Sequence, residues 1–156
     1  MVLQTTGAGE PSMYEPHPSP AGSGLRLLVA DDNRDAAESL ALLMEVDGHT
    51  VQIANDGREA LEMAQRLRPD VCILDIGMPG MEGNTVARCL RDALPEQRMM
   101  IVAVTGRSQQ DDRARSMAAG FDLYFTKPIP LGALMGSLAQ WRDEGAALSP
   151  STPPQG

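Results

Sequence analysis

The sequence predicts an α/β fold built from five parallel strands and five helices that alternate along the chain, a (βα)5 arrangement. Short aliphatic runs occur five times, and each is followed by a stretch in which apolar residues are spaced by three or four positions. Runs with few polar interruptions are typical of strands that are buried on both faces of a parallel sheet. The length of 156 residues fits one compact domain of this kind and is too short for two ordinary ones.

Each predicted strand is a run of 4–6 mainly apolar residues. In chain order, the predicted strands are residues 25–30, 50–54, 71–74, 100–104 and 121–126. Because the connection between two parallel strands is right-handed, successive strand and helix units give a single sheet that is covered by helices on both faces.

The predicted helices follow the strands, and each is recognised by an apolar face at helical spacing. Gly48 and Pro69 are expected to end the first two helices. We expect the apolar faces to contact the sheet. In chain order, they are Ala36, Leu40, Leu43 and Met44; Ala60, Leu61, Ala64 and Leu67; Val86 and Leu90; Ala114, Met117 and Ala118; and Leu131, Leu134, Met135, Leu138 and Trp141.

Composition divides the chain into one central domain and two tails. Residues 1–24 contain four Pro and four Gly with almost no aliphatic periodicity, and residues 143–156 are similar in character. Such segments do not offer enough apolar surface to fold, so we expect both to be flexible tails or linkers. The expected folded domain is residues 25–142.

An acidic composition argues against nucleic acid and membranes as direct partners. The chain has 21 acidic and 13 basic residues, a net charge of −8, and the basic residues are 12 Arg and one Lys. Such a surface repels phosphate backbones and anionic lipids. Cys72 and Cys89 lie in apolar segments without the spacing of a zinc site or a disulfide framework. With no signal-peptide pattern and no long apolar run, the expected location is the cytoplasm.

Reactive polar groups lie where four of the predicted strands end. Asp31 and Asp32 follow the first strand, Asp75 the third, Thr105 the fourth and Lys127 the fifth. Taken singly, each has a structural explanation as a helix cap, a turn residue or a surface charge. Together they favour a binding site, because ligands of open α/β sheets bind beyond the carboxyl ends of the strands.

The residue types at these strand ends predict phosphoryl chemistry with a metal ion. Carboxylates within about 4–6 Å repel one another by about 1–4 kcal/mol per pair, so such a cluster takes up a proton or a cation. An oxygen-only donor set favours Mg²⁺. An aspartate can attack phosphorus to form an acyl phosphate, while a lysine neutralises the phosphoryl oxygens and a threonine hydroxyl donates to them.

Four segments resemble, in order, the receiver domain of bacterial two-component response regulators. They are LLVADDN, VCILDIGMPGMEG, IVAVTG and FDLYFTKPI, with spacings of 44, 30 and 22 residues between Asp31, Asp75, Thr105 and Lys127. The resemblance covers essentially all of residues 25–142. It implies a doubly wound, flavodoxin-like sheet with strand order 2-1-3-4-5.

The resemblance also implies a role for each residue of the acidic site. Asp75 corresponds to the phosphoacceptor. Asp31 and Asp32 correspond to the acidic pair that holds Mg²⁺, with Asp32 as the direct ligand and Asp31 acting through water. Gly77 corresponds to the position whose backbone carbonyl completes the metal shell.

A second group of residues is expected to respond to phosphorylation. By resemblance, Thr105 is the switch hydroxyl, Lys127 the cation that pairs with the phosphoryl group, and Tyr124 the aromatic switch. The Lys127-Pro128 bond corresponds to a cis peptide in the family. Taken on composition alone, Tyr124 is equally well a half-buried tyrosine in a strand.

Two positions depart from the usual pattern of the family. Gly77 lacks the side chain often found at its position, and Arg107 is large and charged. Because the family uses these positions to control how water reaches the acyl phosphate, we expect their combination to set the lifetime of the phosphoryl group.

The expected function is a phosphorylation-dependent switch, without catalysis on a separate substrate. His17 and His49 lie far from the strand ends, so the phosphoryl group must come from a sensor histidine kinase, a phosphotransfer protein or a small phosphodonor. Output is expected through the fourth helix, the fifth strand and the fifth helix, around residues 109–119 and Tyr124. The sequence leaves three questions open. The chain is either a single-domain regulator or the receiver of a hybrid kinase, it forms a homodimer or not, and the alternative function is a phosphorylation-independent adaptor.

Overall fold

The computed structural model describes residues 24–106 and 113–147, which form five strands and five helices in strict alternation. In chain order, the elements are β1 (Arg26–Ala30), α1 (Arg34–Val46), β2 (Thr50–Ala54), α2 (Gly57–Leu67), β3 (Val71–Asp75), α3 (Gly83–Ala93), β4 (Met100–Thr105), α4 (Arg113–Ala119), β5 (Leu123–Thr126) and α5 (Leu131–Ala147). The predicted (βα)5 arrangement is confirmed.

The five strands form one parallel sheet with the order β2-β1-β3-β4-β5, which confirms the predicted topology. The chain passes from β1 outward to β2 and then returns to the other side of β1 for β3. The direction of winding therefore changes between β1 and β3, where open α/β sheets bind their ligands. In the register, Ala30 lies beside Leu74, so the residues that follow them lie at the same level of the sheet.

The core consists of two apolar layers, one on each face of the sheet. One layer packs strand residues such as Leu28 and Leu74 against α2 and α3. The other packs residues such as Val29 and Ile73 against α1 and α5. Because every residue of β3 and β4 is buried, these strands are apolar on both faces, as the sequence predicts.

Four strand boundaries differ from the predicted ones. β1 begins at Arg26 rather than at residue 25. β3 and β4 each include one further residue, since Asp75 still pairs with Val104, and Thr105 with Thr126. β5 begins at Leu123 rather than at residue 121. Asp122 interrupts the aliphatic run there, and its carboxylate accepts a hydrogen bond from the Ile101 N–H at 2.8 Å.

The predicted apolar faces of α1 and α4 are partly wrong. In α1, Ala36 and Leu43 are exposed, and the buried residues are Ala37, Leu40, Ala41 and Met44. In α4, Ala114, Met117 and Ala118 are exposed, whereas Ser116 and Ala119 are buried. Both segments are rich in alanine, so that apolar spacing alone allows several faces, and the small side chains are the ones that approach the core.

Helix α5 continues to Ala147, five residues past the expected domain end at residue 142. The guanidinium of Arg98 lies 3.7 Å from the centre of the Trp141 ring and donates a hydrogen bond to the Trp141 carbonyl at 3.1 Å. This contact ties the later part of α5 to the segment before β4. The rest of both predicted tails, residues 1–23 and 148–156, lies outside the described residues. Among the helices described, none is long and apolar enough to cross a membrane.

A buried histidine connects the start of β1 to the turn between α1 and β2. His49 Nδ1 accepts a hydrogen bond from the Leu25 N–H at 3.0 Å, and its Nε2 lies 3.3 Å from Asp47 Oδ2. Burial lowers the pKa of His49, and the neighbouring Asp47 carboxylate only partly opposes this effect. The folded protein therefore keeps His49 neutral in a pH range where the unfolded chain binds a proton.

We predict that His49 makes the protein less stable as the pH falls. Its contribution to stability is fully present above the ordinary histidine pKa of 6.5 and is lost as the pH falls toward the lower pKa of the folded state. The melting temperature should therefore decrease between about pH 7.5 and about pH 5.5. His49→Gln, which retains an acceptor for the Leu25 N–H but does not titrate, should show a flatter profile. An equally steep decrease in this variant would contradict the prediction.

Candidate functional site

The candidate site lies at the carboxyl edge of the sheet, where the winding direction changes. Asp31 directly follows β1, and Asp75 is the last residue of the adjacent strand β3. Thr105 ends β4, and Lys127 directly follows β5. The parallel topology thus brings residues from four strand ends to one edge, as expected from the sequence.

Three carboxylates form the acidic part of the site. Asp31, Asp32 and Asp75 each offer an oxygen atom, and these three atoms lie within 4.8 Å of one another. Asp31 and Asp75 are buried, whereas Asp32 is exposed to solvent. Mg²⁺ prefers oxygen ligands and keeps some of its waters, so a half-open group of carboxylates fits this ion.

The carboxylate of Asp31 is held by the start of helix α1. The Asn33 N–H donates a hydrogen bond to Asp31 Oδ1 at 2.9 Å, and Asn33 Oδ1 in turn accepts one from the Ala36 N–H at 3.1 Å. The second interaction caps the helix. The Asp31 N–H donates to the Ala54 carbonyl at 3.2 Å, which continues the pairing with β2. The turn, the helix and the sheet therefore orient Asp31 together.

The carboxylate of Asp75 is held on two sides. Its Oδ1 accepts a hydrogen bond from the Gly77 N–H at 3.0 Å, and its Oδ2 lies 3.5 Å from Lys127 Nζ. Burial is the largest cause that raises the pKa of Asp75, and the negative charge of Asp31 adds to this effect. The hydrogen bond from Gly77 and the charge of Lys127 oppose it. A cation among the carboxylates would favour the ionised form of Asp75.

Lys127 joins the two buried carboxylates. Its Nζ lies 3.0 Å from Asp31 Oδ2, closer than to Asp75. Burial alone would lower the pKa of Lys127, but the hydrogen bond to Asp31 and the two negative charges outweigh burial and raise it. The ammonium group is therefore positively charged at neutral pH. The Lys127-Pro128 peptide bond is cis, which confirms the expectation drawn from the resemblance.

The residues expected to act as switches lie near the site but outside the acidic group. Thr105 is fully buried, and its hydroxyl donates to the Gly106 carbonyl at 3.2 Å. Tyr124 is half-buried against the layer beneath α2 and α3, and the Arg113 guanidinium lies 5.5 Å from the centre of its ring. Arg107 and residues 109–112 of the expected output surface lie outside the described residues.

A groove beside the carboxylates was missed by the sequence analysis. It has a volume of about 270 Å³ and runs between α1 and the segment after β5, with Asp31, Asp75 and Lys127 at its polar end. The other residues that line it are Val29, Ala30, Ala36, Ala37, Leu40, Leu43, Ile73, Val104, Pro128, Ile129 and Leu131. The position of Leu43 in this wall explains why a residue predicted to be in the core is exposed.

Comparison with protein families matches residues 27–139 to the response regulator receiver domain. Response regulator MprA of Mycobacterium leprae is 40% identical over 117 residues, which are 73% of this chain and 49% of that protein. Response regulator MprA of Mycolicibacterium vanbaalenii is 39% identical over 135 residues, which are 85% and 54% of the two chains. The chain thus spans about half the length of these curated relatives.

Solved structures show the same fold. A CheY-like receiver domain from Methanospirillum hungatei superposes with a TM-score of 0.73 and 26% identity, covering 81% of this chain and 99% of that one. The receiver domain of a sensor histidine kinase from Pseudomonas aeruginosa has a TM-score of 0.69 and 28% identity, covering 77% and 98%. That domain was solved with a magnesium ion coordinated in its active site cleft.

We predict that Lys127 competes with Mg²⁺ for the carboxylates. Lys127→Gln removes the ammonium that lies 3.0 Å from Asp31 and 3.5 Å from Asp75, so Mg²⁺ should bind roughly threefold to tenfold more tightly. Lys127→Arg keeps the positive charge and serves as the control. Calorimetric titration of each protein with Mg²⁺ measures the affinities, and equal or weaker binding by Lys127→Gln would contradict the prediction.

Proposed function

This chain belongs to the response regulator receiver domain family, and from this premise we propose that it is a phosphorylation-dependent signalling switch. Asp75 accepts a phosphoryl group from a histidine kinase or a phosphotransfer protein. One observation carries this proposal: the buried carboxylates of Asp31 and Asp75, the exposed Asp32 and the ammonium of Lys127 meet at one edge of the sheet.

In this proposal, Asp32, Asp75 and the backbone carbonyl of Gly77 would hold Mg²⁺ directly, and Asp31 would hold it through a water molecule. The oxygen-only donor set supports this choice of ion, and so does the magnesium ion in the similar domain from Pseudomonas aeruginosa. When bound, Mg²⁺ supplies positive charge that neutralises the phosphoryl oxygens.

The residues of the chain support the transfer in three ways. The ionised carboxylate of Asp75 attacks the phosphorus atom of a phosphohistidine, so that an O–P bond forms while the N–P bond breaks. The electron pair of that bond stays with the imidazole of the donor. Lys127, already within 3.5 Å of Asp75, pairs with the phosphoryl oxygens, and the Thr105 hydroxyl turns from the Gly106 carbonyl to donate to them.

The phosphodonor protein covers the groove beside Asp75. The groove ends at the acidic residues, so a protein that presents a phosphohistidine to Asp75 also meets its apolar walls. Leu43 in α1 is 42% exposed, and Ile129 and Leu131 on the opposite wall are half-buried. Burial of these side chains would add apolar contact to the charge recognition at the site.

Phosphorylation changes the surface formed by α4, β5 and α5, and this surface contacts the output partner. Phosphorylation of Asp75 adds charge beside Thr105 and Lys127. Thr105 pairs with Thr126 of β5, and Lys127 directly follows β5. Tyr124 lies on the same strand and responds with them. The domain thus acts on its own aspartate, without a separate substrate, and its output is a changed affinity for a partner protein.

We predict that the chain becomes phosphorylated on Asp75 in the presence of Mg²⁺. Incubation of the full chain with acetyl phosphate and Mg²⁺ should add the mass of one phosphoryl group, as measured by intact mass spectrometry. The adduct should be absent after chelation of Mg²⁺ and in Asp75→Asn. Asp92→Asn, which changes an exposed carboxylate in α3, should behave like the wild type.

An unmodified mass in the wild type under these conditions would overturn the proposal. A Mg²⁺-independent adduct that persists in Asp75→Asn would also overturn it, because the acceptor would then be a different group. A protein that takes no phosphoryl group but still captures a partner would instead be a phosphorylation-independent adaptor.

We also predict that Gly77 and Arg107 set the lifetime of the phosphoryl group. Gly77 is exposed beside Asp75 and has no side chain that could shield an acyl phosphate from water. Gly77→Asn and Arg107→Ala, made singly and together, should therefore change the rate of dephosphorylation, followed as loss of the mass adduct after removal of acetyl phosphate. Unchanged decay curves would contradict the prediction.

A further inference from the structure

The loop that follows the phosphoacceptor is packed between the first turns of two helices. This loop, residues 76–82, connects β3 to α3 and will be called the acceptor loop. It carries Gly77, whose N–H holds Asp75 Oδ1 at 3.0 Å. Its neighbours include the first residue of α2, Gly57, and the first residue of α3, Gly83.

Gly57 touches the backbone at the far end of the acceptor loop. A Cβ atom at Gly57 would lie 1.9 Å from the Met81 carbonyl oxygen and 2.8 Å from the Met81 carbonyl carbon. These are backbone atoms, so no change of side-chain rotamer relieves the overlap. Helix α2 cannot easily move away, because Ala60 and Ala64 on its inner face are fully buried against the sheet.

The near end of the acceptor loop is fixed from both sides. The Ile76 N–H donates to the Val104 carbonyl at 2.9 Å, and the Gly83 N–H donates to the Ile76 carbonyl at 3.0 Å. A Cβ atom at Gly83 would lie 2.8 Å from the Asp75 carbonyl oxygen and 2.9 Å from the Ile76 Cα. The start of the loop is therefore held in place. If the contact between Gly57 and Met81 changes, Met81 is the part of the loop that must move.

A displacement of Met81 would be passed along the loop to Gly77. The Met81 N–H donates to the Pro79 carbonyl at 3.0 Å, and Gly80 between them has a positive φ of 81°. Residues 79–81 therefore form a tight turn closed by this hydrogen bond. A single residue, residue 78, separates this turn from Gly77. A movement of the turn would therefore change the hydrogen bond from the Gly77 N–H to Asp75.

We propose that Gly57 is a positioning residue for the phosphorylation site. Because it has no side chain, the acceptor loop lies directly against α2, and this contact holds Gly77 where its backbone orients Asp75. The inference rests on the proposed function, since it assigns Gly57 a part in Mg²⁺-dependent phosphorylation. Misplacement of a reacting group by about 1 Å can slow a reaction by about a hundredfold.

The experiment compares Gly57→Ala with a matched glycine in another helix. Gly132 lies in the first turn of α5, and a Cβ atom there meets no atom within 4 Å. Gly132→Ala therefore controls for the general effect of alanine in a helix, which is mildly stabilising where nothing is hindered. The measurements on the full chain are the melting temperature, the affinity for Mg²⁺ by calorimetry, the amide resonance of Gly77, and the rate of phosphorylation by acetyl phosphate.

We expect Gly57→Ala to remain folded, with a shifted Gly77 amide resonance. Mg²⁺ binding or phosphorylation at saturating Mg²⁺ should be weaker or slower by roughly tenfold or more. Gly132→Ala should match the wild type in the Gly77 resonance, the Mg²⁺ affinity and the rate, with an equal or slightly higher melting temperature. A Gly57→Ala protein that only melts at a lower temperature, with an unchanged Gly77 resonance and wild-type affinity and rate, would overturn the inference.

Gly80→Ala keeps the inference testable where Gly57→Ala fails to fold. It strains the turn of residues 79–81 at its positive φ of 81°, and a Cβ atom there meets no atom within 4 Å, so it disturbs the backbone beside Met81 without touching Asp75. It should shift the Gly77 resonance and lower the affinity or the rate, and wild-type behaviour would count against the inference. If the wild type itself takes no phosphoryl group, the proposed function fails, whereas the Gly77 resonance still reports whether Gly57 positions the loop.

Discussion

The mutual repulsion of two buried carboxylates is the constraint on which the site depends. Parallel pairing of β1 with β3 places Asp31 and Asp75 side by side, where like charges repel more strongly than in water. Donors from three different loops offset this repulsion: the N–H of Asn33, the N–H of Gly77 and the ammonium of Lys127. The loops after β1, β3 and β5 therefore each help to hold the two carboxylates next to each other.

The same arrangement links the site to the edge of the sheet. Lys127 follows β5, which among the described strands pairs with β4 alone, and the Lys127 N–H donates to the Thr105 carbonyl at 2.8 Å. A phosphoryl group on Asp75 would carry about −1.5 to −2 units of charge in place of the single negative charge of the ionised carboxylate. The site would thus gain about −0.5 to −1 unit at a place where one ammonium already contacts two carboxylates. The ammonium would then be shared among more oxygen atoms. Lys127 follows β5, which contains Tyr124 and is one of the two edge strands of the described sheet, so a neighbouring strand supports it on one side only.

Most of the fold and the charged part of the site could be predicted from the sequence, because both follow from strand ends. Buried parallel strands are continuous apolar runs, and the polar residue that ends each run must lie at the carboxyl edge. The apolar face of α1 could not be predicted in the same way. Its sequence has apolar residues at so many positions that several faces are equivalent, and the small Ala37 and Ala41 rather than Leu43 allow the closest approach to the sheet. The contact of Arg98 with Trp141 in α5 joins segments that are distant in the sequence, so it could not be predicted either.

The close packing of the acceptor loop against α2 and α3 could not be predicted, because it depends on the lack of a side chain at Gly57 and Gly83. In the sequence, Gly57 and Gly83 are indistinguishable from glycines that simply begin a helix. Their contacts with Met81 and with the backbone of Asp75 arise only when α2 and α3 pack on the same face of the sheet. These contacts involve no charge, but they affect how the repulsion between Asp31 and Asp75 is offset. If the acceptor loop moved and Gly77 no longer donated to Asp75, Lys127 would have to hold two buried carboxylates with one fewer hydrogen bond. The position of an uncharged loop therefore decides how much of the repulsion is offset, and with it how readily Asp75 remains an ionised acceptor.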